Sequence, residues 1–162
     1  MKISIRNVKP LDIDAVEAIE NQCFPVSEAA DRESLQDRIA AFPENFLVAD
    51  IDRALVGFIN GCTTNSPVIY DEMFHGVEHH VASGQNLAIF GLDVIPEYRR
   101  QGIAAQLMKV FLENARNAGK KNVILTCKDH LIHYYEGFGF VNNGISESQH
   151  GGATWYDMTC TL

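Results

Sequence analysis

Apolar and polar positions alternate at the start of the chain, where Ile3, Ile5 and Val8 predict a half-buried first strand. Pro10, Leu11 and Asp12 then read as a helix start. Ile13, Val16 and Ile19 recur at helical spacing until Cys23-Phe24-Pro25 ends the run. A second helix is expected from Ser27 or Asp31 to about Ala41, with Leu35, Ile39 and Phe42 on one side and Pro43 as its stop. Residues 46–51 and 54–59 flank Asp52-Arg53 and predict a hairpin. Residues 65–85 have no clean period and hold Asp71, Glu72, His75, Glu78, His79 and His80. So long a loop is expected to carry function or motion, with a short helix near residues 70–74.

Residues 87–94 read as the next strand. From Ala104 the apolar side chains fall at 104, 107, 108, 111, 112 and 115, an amphipathic helix with Gly119 placed as its cap. A strand over residues 123–127 and a short helix over 132–136 follow. Residues 138–141 and 154–160 are expected to form a final antiparallel pair, with 146–152 as the polar loop between them. The order β-α-α-β-β-β-α-β-α-β-β predicts an α/β fold, a mixed sheet with helices on both faces.

At 162 residues, 46% of them hydrophobic and 21% charged, the chain is expected to form one domain, 1–162, of a soluble globular protein. No apolar run approaches the ~18 residues of a membrane span, and the opening MKISIRNVKP lacks a leader core. Cys23, Cys62, Cys127 and Cys160 are scattered with no C-x-x-C pair, which argues against a metal site or a disulfide scaffold and for reduced thiols in a cytoplasm. A net charge of −8 argues against nonspecific nucleic-acid binding and would favour approach of cationic substrates. Any anion must therefore find a local concentration of positive charge, and Arg99-Arg100 is the one Arg-Arg pair in the sequence.

That pair lies in Arg99-Arg100-Gln101-Gly102-Ile103-Ala104, between the strand at 87–94 and the amphipathic helix. A basic turn at a helix start offers free main-chain N–H groups, a positive dipole end and guanidinium groups to one anion. Gly102 carries no side chain to hold a phosphate off the backbone. Gly91 is placed to let the preceding strand bulge. Two nucleotide motifs are missing: there is no G-K-[ST], and Gly137-Phe138-Gly139 lacks the third glycine of a dinucleotide turn.

The segment resembles the acetyl-CoA-binding motif of the GNAT superfamily of N-acetyltransferases, Gln/Arg-x-x-Gly-x-Gly/Ala, with Arg99, Gly102 and Ala104 in its defining places. Tyr134-Tyr135-Glu136-Gly137-Phe138-Gly139-Phe140 resembles a second segment of the same family. The resemblance implies a mostly antiparallel central sheet splayed between two parallel strands, 87–94 and 123–127. It implies acetyl-CoA as cosubstrate and no metal. Main-chain groups of Leu92, Asp93 and Val94 would line pantetheine, with Arg99, Arg100, Gln101, Gly102, Ile103, Ala104 and Ala105 around the diphosphate. Tyr135 matches the general acid and Tyr134 an aromatic packing place.

Ile124-Leu125-Thr126-Cys127-Lys128-Asp129-His130-Leu131 and Cys23-Phe24-Pro25-Val26-Ser27-Glu28-Ala29-Ala30 further resemble the arylalkylamine (serotonin) N-acetyltransferase branch. Ala88 and Phe90 stand where vertebrate members carry two relay histidines, and Lys128 stands where many members carry an Asn. Asp93, His79, His80, His130, His133 or a chain of waters are the candidate proton acceptors. Phe24, Phe42, Phe74 and Phe90 are candidates to line an apolar amine slot.

The expected function is acetyl transfer from acetyl-CoA to a primary amine, small and aromatic or otherwise apolar, by direct attack in a ternary complex. An acetyl-cysteine route through Cys127 is disfavoured, because a buried thiol is usually inert. The alternatives are a protein N-terminal or lysine acetyltransferase, and a non-catalytic CoA-binding sensor. Monomer and homodimer are both open.

Overall fold

A computed structural model describes residues 2–162; Met1, the first residue of the expected domain and of the segment read for a leader, lies outside the described residues. Among the described residues seven strands follow the order β1-β2-β3-β4-β5-β7-β6: β1 (Ile3–Asn7), β2 (Phe46–Ile51), β3 (Ala54–Thr64), β4 (Asn86–Val94), β5 (Asn122–Cys127), β6 (Val141–Ile145) and β7 (Tyr156–Thr161). Four α-helices accompany them there: α1 (Ile13–Cys23), α2 (Arg32–Ala41), α3 (Ile103–Asn117) and α4 (Ile132–Glu136). The element order is the one predicted. The sheet is mixed and mostly antiparallel, and the parallel ladder of β4 and β5 is short, pairing only residues 86–88 with 122–124.

The chain forms two compact units. The first comprises the chain up to Gly61 and Phe90–Phe111. In it β1 pairs antiparallel with β2 from Ile3↔Ile51 to Asn7↔Leu47, and β2 with β3 from Phe46↔Asn60 to Ile51↔Ala54. Asp52 (φ 52°) and Arg53 (φ 69°) turn the hairpin; positive φ at both central residues gives the turn a twist that matches the strands. Asp31 caps α2 by accepting the Ser34 N–H (2.8 Å), so this helix starts at the later of its two expected positions. Val16 and Ile19 of α1, Leu35 and Ile39 of α2, and Phe42, Phe46, Val48 and Phe58 are buried. Each contributes roughly 1.5–3 kcal/mol of transfer free energy before entropy is subtracted. Arg6 grips Asp12 with two bonds (2.8 and 2.9 Å), tying β1 to the turn that precedes α1.

The second unit comprises Cys62–Ile89 and Leu112–Leu162. Here β7 lies between β5 and β6, antiparallel to both. Leu87, Ala88, Leu112, Ala115, Val123, Leu125, Met158 and Cys160 are buried. Residues 65–85 hold two short 3-10 turns, Asp71–His75 and Val77–His79; the first is the predicted short helix.

Three expectations shift. β3 runs on to Thr64 rather than stopping near residue 59, because Asn60, Thr63 and Thr64 are buried and keep extended pairing geometry. β6 occupies Val141–Ile145, not 138–141. Phe138 N–H bonds back to Tyr135 O (3.0 Å) and Gly139 N–H to Glu136 O (3.0 Å), so residues 138–140 finish the helical turn, and Gly139 (φ 98°) reverses the chain. α3 begins at Ile103, which is buried, while Ala104 is only partly so.

Candidate functional site

β4 ends at Val94, and the Ile95 N–H is still held by Val56 O (2.9 Å). A 3-10 turn, Pro96–Tyr98, closes with Arg99 N–H on Pro96 O (3.2 Å). Arg99 then reaches back, its Nε donating to Val94 O (2.9 Å), which braces the turn against the strand it leaves. Arg100 (φ 63°) and Gly102 (φ 81°) both adopt left-handed backbone, and α3 begins at the next residue. Gln106 N–H is bonded to Gly102 O (3.0 Å); the N–H groups of Ile103, Ala104 and Ala105 precede it in the first helical turn, where an α-helix offers no intrahelical acceptor.

A Cβ built on Gly102 would meet nothing within 4 Å, so the space above its backbone is open. Arg99, Arg100 and Gln101 are exposed. Open backbone, orphan N–H groups and guanidinium charge therefore coincide, and this combination suits a multiply charged anion.

Leu92, Asp93 and Val94 lie in the same unit as this turn. The Val94 carbonyl is already engaged by Arg99 Nε and by Cys23 Sγ (3.4 Å). Gly57 of β3 is required opposite them: a Cβ there would stand 2.5 Å from Asp93 O and 3.2 Å from a Val94 methyl.

Tyr135 belongs to the second unit. It sits half-buried in α4, its ring edge-on to Tyr134 (5.3 Å between centroids) and Phe140 (6.0 Å). Tyr134 in turn meets Phe138 edge-on (5.2 Å), so the YYEGFGF segment is an aromatic stack that fixes the Tyr135 ring. Burial pushes the Tyr134 hydroxyl above the usual tyrosine value.

The candidate proton acceptors separate by environment. His80 Nδ1 accepts the Thr63 N–H of β3 (3.1 Å), and His79 Nδ1 lies 3.0 Å from the Tyr70 hydroxyl of its own loop, so both rings have partners. His130, in the turn before α4, and His133, within it, are both exposed, with His133 Nδ1 3.7 Å from Glu136. Asp93 differs. It is 1% exposed and neither carboxylate oxygen has a hydrogen-bond donor. Burial first, then the Glu20 carboxylate beside it, raise its proton affinity well above that of an ordinary aspartate.

Glu20, Arg38 and Asn60, also buried, complete this group, and sequence reasoning missed all three. The signal was present for two of them. Glu20 falls on the Val16–Ile19 stripe of α1 and Arg38 on the Leu35–Ile39 stripe of α2, each a charge where the helical pattern calls for an apolar side chain.

Of the candidate slot phenylalanines, Phe42 and Phe90 meet edge-on (6.4 Å) in the first unit, and Phe74 stacks on His150 (4.7 Å) in the second. Lys128 lies over the Trp155 ring (5.6 Å). Burial pushes the Cys127 thiol up to about 11, and its Sγ lies 3.5 Å from Met158 Sδ; a thiol so placed is protonated at neutral pH. Among the described residues no cluster of three His, Cys, Asp or Glu side chains could hold a metal ion, and no helix is long and apolar enough to cross a membrane.

The profile of the Acetyltransferase (GNAT) family matches residues 13–140. A Bacillus subtilis (strain 168) protein named Probable hydrolase YhcX is 27% identical over 144 residues, which is 83% of this chain and 28% of that protein. The chain spans between 28% and 54% of the length of the first curated relatives it matches. Among solved structures, the GphF GNAT-like decarboxylase in complex with isobutyryl-CoA is 22% identical, with a TM-score of 0.83 over 98% of both chains. The PaiA N-acetyltransferase of Thermoplasma acidophilum in complex with coenzyme A is 17% identical, with a TM-score of 0.75 over 100% of both. At these identities the structures establish a shared fold, and the profile match, which covers most of the sequence, establishes descent: the chain belongs to the acetyltransferase (GNAT) family.

Proposed function

We propose that the chain transfers an acetyl group from acetyl-CoA to a primary amine, small and aromatic or otherwise apolar, by direct attack in a ternary complex. The observation that carries this reading is the turn at residues 99–105, where orphan N–H groups, an open Gly102 and exposed Arg100 offer a diphosphate both hydrogen bonds and charge. Arg100, Gln101, Gly102, Ile103, Ala104 and Ala105 hold the diphosphate, Arg99 braces the turn, and main-chain groups of Leu92, Asp93 and Val94 face pantetheine. The CoA ligands of the PaiA and GphF structures support this choice of cosubstrate.

The chemistry makes two proton demands. An alkylammonium near pKa 10.4 is only about 0.1% neutral at physiological pH, a penalty of about 4 kcal/mol that a proton acceptor offsets. When the tetrahedral intermediate collapses, the C–S bond breaks and the CoA thiolate takes a proton. Tyr135 supplies it, held in orientation by Tyr134 and Phe140. The high proton affinity of the Cys127 thiol favours direct attack over an acetyl-cysteine.

We further place the chain in the arylalkylamine branch on residues 23–30, 124–131 and 134–140, and as one domain, since neither compact unit is a continuous piece of sequence. Four free cysteines, three of them buried, suit a reducing cytoplasm.

The test is release of free CoA from acetyl-CoA across arylalkylamines, polyamines, amino acids and peptides, with calorimetric titration of CoA alongside. Fastest turnover is expected with arylalkylamines. Preference for peptides would transfer the assignment to protein acetylation, and tight CoA binding without turnover of any acceptor would make the chain a CoA-binding module.

A further inference from the structure

A buried polar group of the first unit centres on Gly91. It draws Glu20 from α1, Arg38 from α2, Asn60 from β3 and Asp93 from β4, which are 6%, 5%, 0% and 1% exposed. A Cβ built on Gly91 would stand 2.9 Å from Asp93 Oδ1, 3.6 Å from Asn60 Nδ2 and 4.0 Å from Glu20 Oε1, so three polar atoms converge on the bare face of this glycine. Gly91 itself is only half-buried, whereas Asp93, two residues on in the same strand, is buried.

Glu20 and Arg38 are fixed by other bonds. The Ala30 N–H donates to Glu20 Oε2 (2.8 Å), and Arg38 donates to Asn60 Oδ1 (3.3 Å) while lying over the Phe90 ring (4.8 Å). Both Asp93 oxygens and Asn60 Nδ2 are left without partners. Two carboxylates cannot bond to each other unless one carries a proton, so Asp93 and Glu20 satisfy one another only when they share one. Unpaired buried polar atoms are costly, and two of them, Asp93 Oδ1 and Asn60 Nδ2, face the bare Gly91 position, where an ammonium would give Asp93 the donor it lacks.

We propose that Asp93, paired with Glu20, is the proton acceptor for the acceptor ammonium, which reaches the pair beside Gly91. This assignment rests on the acetyl-transfer reading and supplies the base it lacks. Burial, Glu20 and Cys23 raise the proton affinity of Asp93, and Arg38 lowers it without cancelling them. Such a carboxylate matches an ammonium better than an ordinary aspartate does. The doubly ionised pair takes one proton from R–NH3+, leaving R–NH2 and a pair that shares a proton. The nitrogen lone pair forms the C–N bond, the C–S electrons leave on sulfur, and the second nitrogen proton balances the one given to the thiolate. The pair then returns its proton to solvent.

Three measurements decide it. In wild type kcat/KM for an alkylamine should fall as pH drops through the titration of the pair, which behaves as one unit. Asp93→Asn should lose ~10²-fold or more in kcat/KM, lose that acidic limb, and keep the calorimetric CoA affinity. Its defect should shrink with acceptors of low ammonium pKa, which need no base; a merely structural role would not produce that trend. Glu20→Gln should move the acidic limb to lower pH by removing a like charge.

Infrared spectra of the protein without substrate should show a carboxyl that stays protonated above the range in which an ordinary aspartic acid ionises, and that Asp93→Asn removes. Asp93→Asn with the wild-type pH profile, or a pair that ionises fully within that ordinary range, overturns the proposal while leaving acetyl transfer intact. CoA binding without turnover of any amine in wild type overturns acetyl transfer, and the base assignment falls with it.

Discussion

Tyr135 and Cys127 sit in the same unit, and their surroundings prepare them for opposite fates. Tyr135 is clamped between two aromatic rings, which costs little entropy because a tyrosine ring has few rotamers to lose. Removing its hydroxyl leaves that packing intact. Tyr135→Phe is therefore expected to lower kcat by about 10²-fold with CoA affinity unchanged, measured by thiol release and calorimetry. A comparable loss of affinity would make the hydroxyl a ligand contact instead. Cys127 is buried against Met158 with its thiol pushed up to about 11, so Cys127→Ser should leave kcat unchanged. A radiolabelled acetyl-protein adduct on wild type, lost in the variant, would contradict that.

The link from β4 to α3 shows what an element boundary contributes. Arg100 holds left-handed backbone that a glycine adopts without strain. Arg100→Gly should thus leave the melting temperature equal to or above wild type while weakening CoA binding, because the guanidinium is lost and the strain relieved. A parallel fall in both would mean that Arg100 stabilises the fold directly. Gly57 makes the converse point. Gly57→Ala forces a methyl to 2.5 Å from Asp93 O, which neither strand can accommodate without moving, and should cost about 1–3 kcal/mol in denaturant unfolding. The α2 cap is separable from both: Asp31→Ala loses the Ser34 N–H bond and should cost roughly 1 kcal/mol with CoA affinity retained.

At the scale of the whole molecule, two aspartates give stability opposite pH dependences. Arg6 holds the Asp12 carboxyl below the usual carboxylate value, so its contribution is complete above about pH 4 and is lost as pH falls through the folded value. Asp93 is shifted upward, so the folded state binds its proton more tightly than the unfolded chain does. Its contribution is complete below about pH 4 and disappears as pH rises through the folded value. Melting temperature should therefore decline on the alkaline side of its maximum. Asp93→Asn should flatten that decline, and an unchanged alkaline slope would place the shifted titration elsewhere.

Much of this was legible before any coordinates. The amphipathic period of 103–115, the Asp52-Arg53 hairpin and the basic turn before α3 are local patterns. A helix stripe, a two-residue turn and a helix N-terminus are each specified within a few residues, and the family resemblance lay in two such short segments. The length of β3 was less legible, because Asn60, Thr63 and Thr64 are polar, and their burial depends on segments distant along the chain, such as Arg38 on Asn60 and His80 on Thr63. The start of β6 was misplaced because Phe138 and Phe140 look like strand residues, although the chain there is still completing the α4 turn. The acid pair lay furthest from reach. Glu20 and Arg38 each break an apolar stripe, which marks them as exceptions, but the pattern does not name their partners. Only tertiary packing brought Glu20, Arg38, Asn60 and Asp93 to one bare glycine, because burial and unmatched charge are properties of what surrounds a residue, and that is decided by segments distant along the chain.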